Sequence, residues 1–174
     1  MRRPESLARE RSRLAAIFAA EPELIQAFIE SDARLRTQSA LIHQAALESV
    51  TANPDSAELC FYAAHAALHH ADPSGAEQLL RRALAILPTH RDALILAGRL
   101  AIDAGLPERA EWLLQQALAA GGDYPDVHFL LGQSWQKQGQ LSRARESYQR
   151  ALALNEKYDR VRDALQTLTD RGSA

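Results

Sequence analysis

The sequence predicts an all-α solenoid of stacked helix-turn-helix units, and three observations carry that prediction. First, residues recur at intervals of 34: Gly98 with Gly132, Gly105 with Gly139, Pro73 with Pro107, Ala76 with Ala110 and Ala144. Ala83, Ala117 and Ala151 recur in the same way, each followed by a leucine. Self-similarity at a fixed period of this length marks stacked supersecondary units that bury one another's apolar faces. Second, alanine and leucine dominate while Val, Ile and Thr are sparse. Unbranched side chains lose little rotamer freedom in a helix. Third, the recurring prolines and glycines suit the first positions of helices and the turns between them.

Taken in chain order, residues 5–19 read as a helix with Leu7, Leu14, Ile17 and Phe18 spaced for one face. Two readings stay open for residues 23–56. They form a degenerate fourth repeat, with 39–50 as its second helix and Pro54 closing it, or a non-repeat helical cap. Glu30 and Ile42 stand where a repeat needs small residues. The regular part covers 57–158 as three units, 57–90, 91–124 and 125–158, each holding a first helix A and a second helix B. In the first unit, A covers about 57–70 and B about 74–87, with Pro73 opening B behind Asp72 as N-cap. Gly105 and Gly139 occupy the A–B turn; Ala71 holds that place in the first unit, so its turn is expected to differ slightly. Ala64, Gly98 and Gly132 permit a close approach of helix B, answered by Ala76, Ala110 and Ala144 and flanked by Leu80, Leu114 and Tyr148. Ala67, Ala101 and Trp135 stand opposite. Residues 159–171 continue the phase as a C-terminal capping helix with Val161, Leu165 and Leu168 on its apolar side.

Composition narrows the function classes. Twenty basic against twenty-two acidic residues give a net charge of −2, whereas a nucleic-acid binder shows a strong basic excess. The single cysteine, Cys60, excludes an internal disulfide framework and sits at a core position, as a buried, inert thiol. No apolar run reaches the ~18 residues of a membrane span. The short apolar stretch 14–20 follows Glu5 and Glu10 and runs into Glu21 and Pro22, unlike a secretory signal. A cytoplasmic location is the expectation. Lys137 and Lys157 are the only lysines, and the excess of arginine and alanine points to a GC-rich bacterial genome.

The periodic pattern resembles the tetratricopeptide repeat (TPR), with its W-x2-L-G-x2-Y, A-x3-F and closing P. The third unit carries His128, Leu131, Gly132, Trp135, Ala144 and Tyr148; the second Leu94, Ala97, Gly98, Ala101, Ala110 and Leu114; the first Cys60, Ala63, Ala64, Ala67, Ala76, Leu80 and Pro88. Gly122 and Glu156 replace the closing proline, and no unit begins with the signature tryptophan. The resemblance implies a right-handed solenoid whose A helices line a concave groove that holds another protein or peptide. By phase it points Phe61, His65, Leu68 and His69, then Ile95, Arg99 and Ile102, then Phe129, Gln133, Gln136 and Lys137 into that groove. Apolar anchors beside donors and some positive charge suit a peptide with apolar side chains and acidic character. Phe61, Ile95 and Phe129 read equally as side chains packed between adjacent A helices, and Arg99 and Lys137 as solvated charges. The family's carboxylate clamp for chaperone tails uses lysines, asparagines and an arginine; the corresponding places hold Phe61, His65, Leu96, Asp126 and Leu130, so that clamp is not expected.

Little suggests chemistry. His65 and His69 stand one helical turn apart, but Glu58 is a poor third ligand, so groove-lining histidines are expected in place of a metal site. His43 and His90 read as surface helix and inter-repeat turn. No phosphate loop, zinc set or nucleophile motif appears, and neither enzyme activity nor a cofactor is expected. Five arginines in the first 13 residues, against Glu5 and Glu10, read as a solvated helix end or an arm for an acidic partner or membrane. Three functional readings follow: a non-catalytic adaptor, the recruitment segment of a larger enzyme such as a glycosyltransferase or of a secretion assembly, and a self-assembly module acting through the N-terminal helices.

Overall fold

In the computed structural model, residues 4–32 and 38–171 are described, and all regular structure among them is helical. The chain resolves into two units, residues 1–88 and 89–174. The first holds α1 (Pro4–Ala20), α2 (Leu24–Asp32), α3 (Ser39–Ala52), α4 (Ala57–His69) and α5 (Pro73–Ile86). The second holds α6 (Arg91–Asp103), α7 (Pro107–Ala119), α8 (Pro125–Lys137), α9 (Leu141–Leu154) and α10 (Asp159–Arg171). The starts of α4, α6 and α8 are 34 residues apart, as are those of α5, α7 and α9.

Local chemistry sets the helix ends. Ser56 caps α4 through its side chain on the Leu59 N–H, and Asp72 caps α5 on the Gly75 N–H at 2.8 Å. Pro73, Pro107 and Pro125 open α5, α7 and α8. His90 also proves to be a cap: its imidazole accepts from the Ala93 N–H at 3.3 Å. The three A–B turns are alike. Ala71 adopts φ +62°, beside +75° at Gly105 and +76° at Gly139. The turn at Ala71 therefore does not differ in its backbone angle as expected.

The hairpins α4–α5, α6–α7 and α8–α9 pack closely within their units. A Cβ added to Gly98 would lie 2.8 Å from Leu114 Cγ, and one on Gly132 would collide with the Tyr148 ring. The absent side chains are thus what let these helices approach. In the second unit, α10 packs on α9, with Val161 and Leu168 buried beside Phe129, Ala144, Tyr148 and Ala151.

The first unit departs from the repeat scheme. Helix α3 packs mainly on α1 and α4, while α2 packs mainly on α4. Glu30 and Ile42 are too large for a close α2–α3 crossing; Ile42 is buried and Glu30 is exposed, held by Gln26. Of the four apolar residues expected on one face of α1, Leu14 and Phe18 are buried but Leu7 and Ile17 are exposed. Around the helix Ile17 lies about 60° from Leu14 and about 100° from Phe18, to one side of their stripe. Leu7 lies one turn beyond Arg11, whose partner Glu48, at 2.5 Å, already belongs to the closing turns of α3.

Candidate partner-binding faces

Helix α4 carries the first group of candidate residues. Phe61 is 8% exposed and meets the His65 ring edge-on, at 4.9 Å between centroids, and the Tyr62 ring at 5.0 Å. His65, Leu68 and His69 are half-buried. Phe61 is therefore a packed side chain that supports the more accessible His65.

In the second unit, α6 and α8 pack against each other and carry the rest. Ile95 is half-buried, Arg99 exposed and Ile102 buried on α6. On α8, Gln133 and Gln136 are half-buried and Lys137 is exposed. Phe129 is 5% exposed, its ring 5.9 Å from that of Tyr148 and 5.4 Å from that of Tyr158, with the Arg160 guanidinium 5.1 Å above it. Gln136 accepts a hydrogen bond from the Tyr148 hydroxyl at 2.7 Å, and burial pushes that phenol's pKa up to about 12. One buried tyrosine thus engages both Phe129 and Gln136 and commits them to the fold. Arg99 and Lys137 make no hydrogen bond or ion pair among the described residues. Together with Ile95 and Gln133 they are the accessible members of this group.

Two polar networks brace the second unit. Glu111 on α7 accepts from Gln138 at 3.0 Å and Gln115 at 3.2 Å and lies 3.4 Å from Arg143, whose guanidinium stacks on Trp135 at 4.5 Å. Burial works against ionisation of Glu111, but these donors and the cation outweigh it and hold the carboxyl below its ordinary range. In the α7–α8 loop, Asp123 pairs with Arg150 and His128, and its pKa is lowered chiefly by the Arg150 hydrogen bond. Arg91 donates to the Tyr124 hydroxyl at 2.8 Å while lying 4.8 Å over that ring. Gly122 has φ +96°, and a Cβ there would collide with Tyr124, which accounts for glycine in place of a closing proline.

Several features were not legible from residue spacing. His43 is 9% exposed instead of lying on the surface, packed against the His70 ring because α3 turns this side toward the end of α4. Trp112, on α7, is 59% exposed at a place where α5 and α9 carry Gln78 and Glu146. The departure from polar residues at that phase is the sequence signal that could have marked it. Cys60 is buried, and desolvation raises its thiol pKa. Among the described residues no group of three or more His, Cys, Asp or Glu side chains is arranged to hold a metal ion, and no helix is long and apolar enough to cross a membrane.

Comparison with known proteins adds the following. Models of the tetratricopeptide repeat match residues 67–133 and 125–158. No curated protein matches by sequence. Among solved structures the chain is similar to MamA, from residue 41 to its end, of Desulfovibrio magneticus RS-1: 18% identity and a TM-score of 0.75, over 87% of this chain and 85% of that one. It is similar to the first TPR of Spaghetti (RPAP3) bound to the HSP90 peptide SRMEEVD: 14% identity and a TM-score of 0.65, over 68% and 94%. It also resembles a mutant O-GlcNAc transferase of Thermobaculum terrenum: 29% identity and a TM-score of 0.60, over 64% of this chain and 22% of that one.

Proposed function

The chain belongs to the tetratricopeptide repeat family, and from that premise we propose that it is a non-catalytic scaffold that holds a partner protein on its A-helix faces. The observation that carries the proposal is the α6–α8 group. Two cations with no partner among the described residues, Arg99 and Lys137, stand with half-buried Ile95 and Gln133. A solvated surface gains little from aliphatic side chains beside unpaired cations, whereas a peptide with carboxylates and apolar side chains satisfies both. On α4, His65, Leu68 and His69 offer a second face of mixed character. The clamp positions point away from chaperone-tail carboxylates, since Phe61, Leu96 and Leu130 are buried apolar side chains.

Direct alanine substitution of Phe61 or Phe129 would test folding more than binding. The test is charge reversal. Arg99→Glu with Lys137→Glu should weaken binding of labelled acidic-apolar peptides at least tenfold, about 1.4 kcal/mol, and leave the thermal midpoint unchanged. Equal binding by parent and double variant would refute the assignment.

A second reading is favoured by the transferase likeness, in which this chain matches only 22% of the other: a recruitment segment of a larger enzyme. The intact mass of the native gene product decides it, since a product of this chain's own 19.2 kDa removes that reading. Exposed Leu7 and Ile17 on α1 favour self-association as a further role. Light scattering on the full chain and on a chain beginning near Asp55 tests it, and identical monomers exclude it. A bacterial source and a cytoplasmic location complete this reading.

A further inference from the structure

We propose that the contacting imidazoles of His43 and His70 form a pH-operated latch fastening the N-terminal helices to the α4–α5 hairpin. His43 lies on α3, 9% exposed, and His70 is the C-cap of α4. Their ring centroids are 5.1 Å apart with planes tilted by 43°. His70 Nδ1 also lies 3.4 Å from Ser39 Oγ, at the start of α3. Two contacts from α3 thus converge on one residue of the α4–α5 turn.

The surroundings make this contact sensitive to protons. His43 lines a cavity of about 470 Å³ with Leu47, Asp72, Gln78 and Arg82, which gives it a route to solvent. From α4, His69 and His70 are the neighbouring titratable groups. From α5, Asp72 and Arg82 face the cavity. Asp72 already accepts from the Gly75 N–H, and Arg82 donates to the Pro54 carbonyl at 2.7 Å. From α1, Arg11 meets α3 at Glu48, and on α2 Glu30 is taken by Gln26. A proton on His43 therefore arrives beside a second imidazole and across a cavity from a guanidinium, with Asp72 as the near counter-charge. Burial and His70 hold His43 below its ordinary pKa, and Asp72 opposes them less strongly.

The sign follows from linkage. With its folded pKa depressed, His43 takes up a proton more readily once α3 is released. The contact is fully kept above the ordinary histidine range and is lost as pH falls through the folded value. Helix α3 loosens, and α1, which packs on it, loosens with it.

Hydrogen exchange on the full chain tests this, with protection compared at pH 7.5 and pH 5.0 after correction for intrinsic exchange. The amides of α3 should lose at least twofold protection while those of α8 and α9 keep theirs. His70→Asn, at an exposed cap, should reduce that loss by half or more, and the His43 ring should titrate below the ordinary value of about 6.5. Protection in α3 that ignores pH, a loss spread evenly over all helices, a loss untouched by His70→Asn, or a His43 titration at or above the ordinary value would each overturn the latch.

Discussion

At position 71 an alanine holds a backbone angle that the two later turns give to glycine. The hydrogen bonds that follow are the same: Asp72 N–H to Ala67, Leu106 N–H to Ala101 and Gln140 N–H to Trp135, each at 2.8 Å. A left-handed residue with a Cβ costs about 1–2 kcal/mol, partly offset by the greater chain entropy of glycine. Ala71→Gly should therefore stabilise the chain by about 0.5–1 kcal/mol, and Gly105→Ala should cost about 1 kcal/mol. Nothing lies within 4 Å of a Cβ at Gly105, so the second change measures backbone strain alone. Paired denaturant midpoints check both, and a loss of stability in Ala71→Gly would contradict the account. Gly132 is a different case, because its Cβ meets a buried ring. Gly132→Ala should cost about 1–3 kcal/mol by displacing Tyr148. Tyr148→Phe, which only removes the bond to Gln136, should cost about 1 kcal/mol. If Gly132→Ala proved the milder of the two, close approach would not be what that glycine provides.

Among elements, one carboxylate links α7 to the end of α8 and to α9. Glu111 is 18% exposed at its side chain and meets Gln138, the C-cap of α8, and Arg143 on α9. Its folded pKa lies below the ordinary one. The stability it supplies is complete above the unfolded carboxylate range and is lost as pH falls through the folded value. Glu111→Gln should cost about 1–2 kcal/mol at neutral pH and flatten the acid side of the stability profile for this unit. Thermal melts of parent and variant between pH 3 and pH 7 check this, and profiles that stay parallel would assign the acid loss to other groups. Period alone does not single out this tie, because the same phase carries Glu77 on α5 but Arg145 on α9. What period and spacing did reveal was the hairpin: helix starts, capping Asp72, and the small-to-large pairs across each crossing. The His43–His70 contact and the split of the α1 face escaped for a different reason. They arise where α3 meets helices outside a repeat pair.

For the molecule as a whole, a repeat protein's stability is a sum of unit and interface terms, so an end without a neighbour must be covered. Helix α10 covers α9 in this way. It starts 34 residues after α8, in phase with an A helix, and Val161 falls where α8 has Val127. Where α8 presents Gly132 to its B helix, α10 has Gln166, which is exposed. The helix thus offers an apolar side to α9 and a polar residue where a further helix would pack. The sequence revealed this through phase alone, whereas the packing of Tyr158 and Arg160 on Phe129 needed the structure. Ending the chain after Lys157 removes Tyr158, Val161 and Leu168 from the cluster around Phe129 and Tyr148. Burying each large aliphatic side chain contributes about 1.5–3 kcal/mol, so the shortened chain should lose at least about 3 kcal/mol. It should also associate through the bared α8–α9 face, because an apolar patch left open on a repeat end is a ready contact surface. Light scattering and denaturant titration measure the two effects separately. A shortened chain that stays monomeric with an unchanged midpoint would mean that α10 is an appendage and that α8–α9 closes the stack unaided. Loss of stability without association would confine the role of α10 to packing.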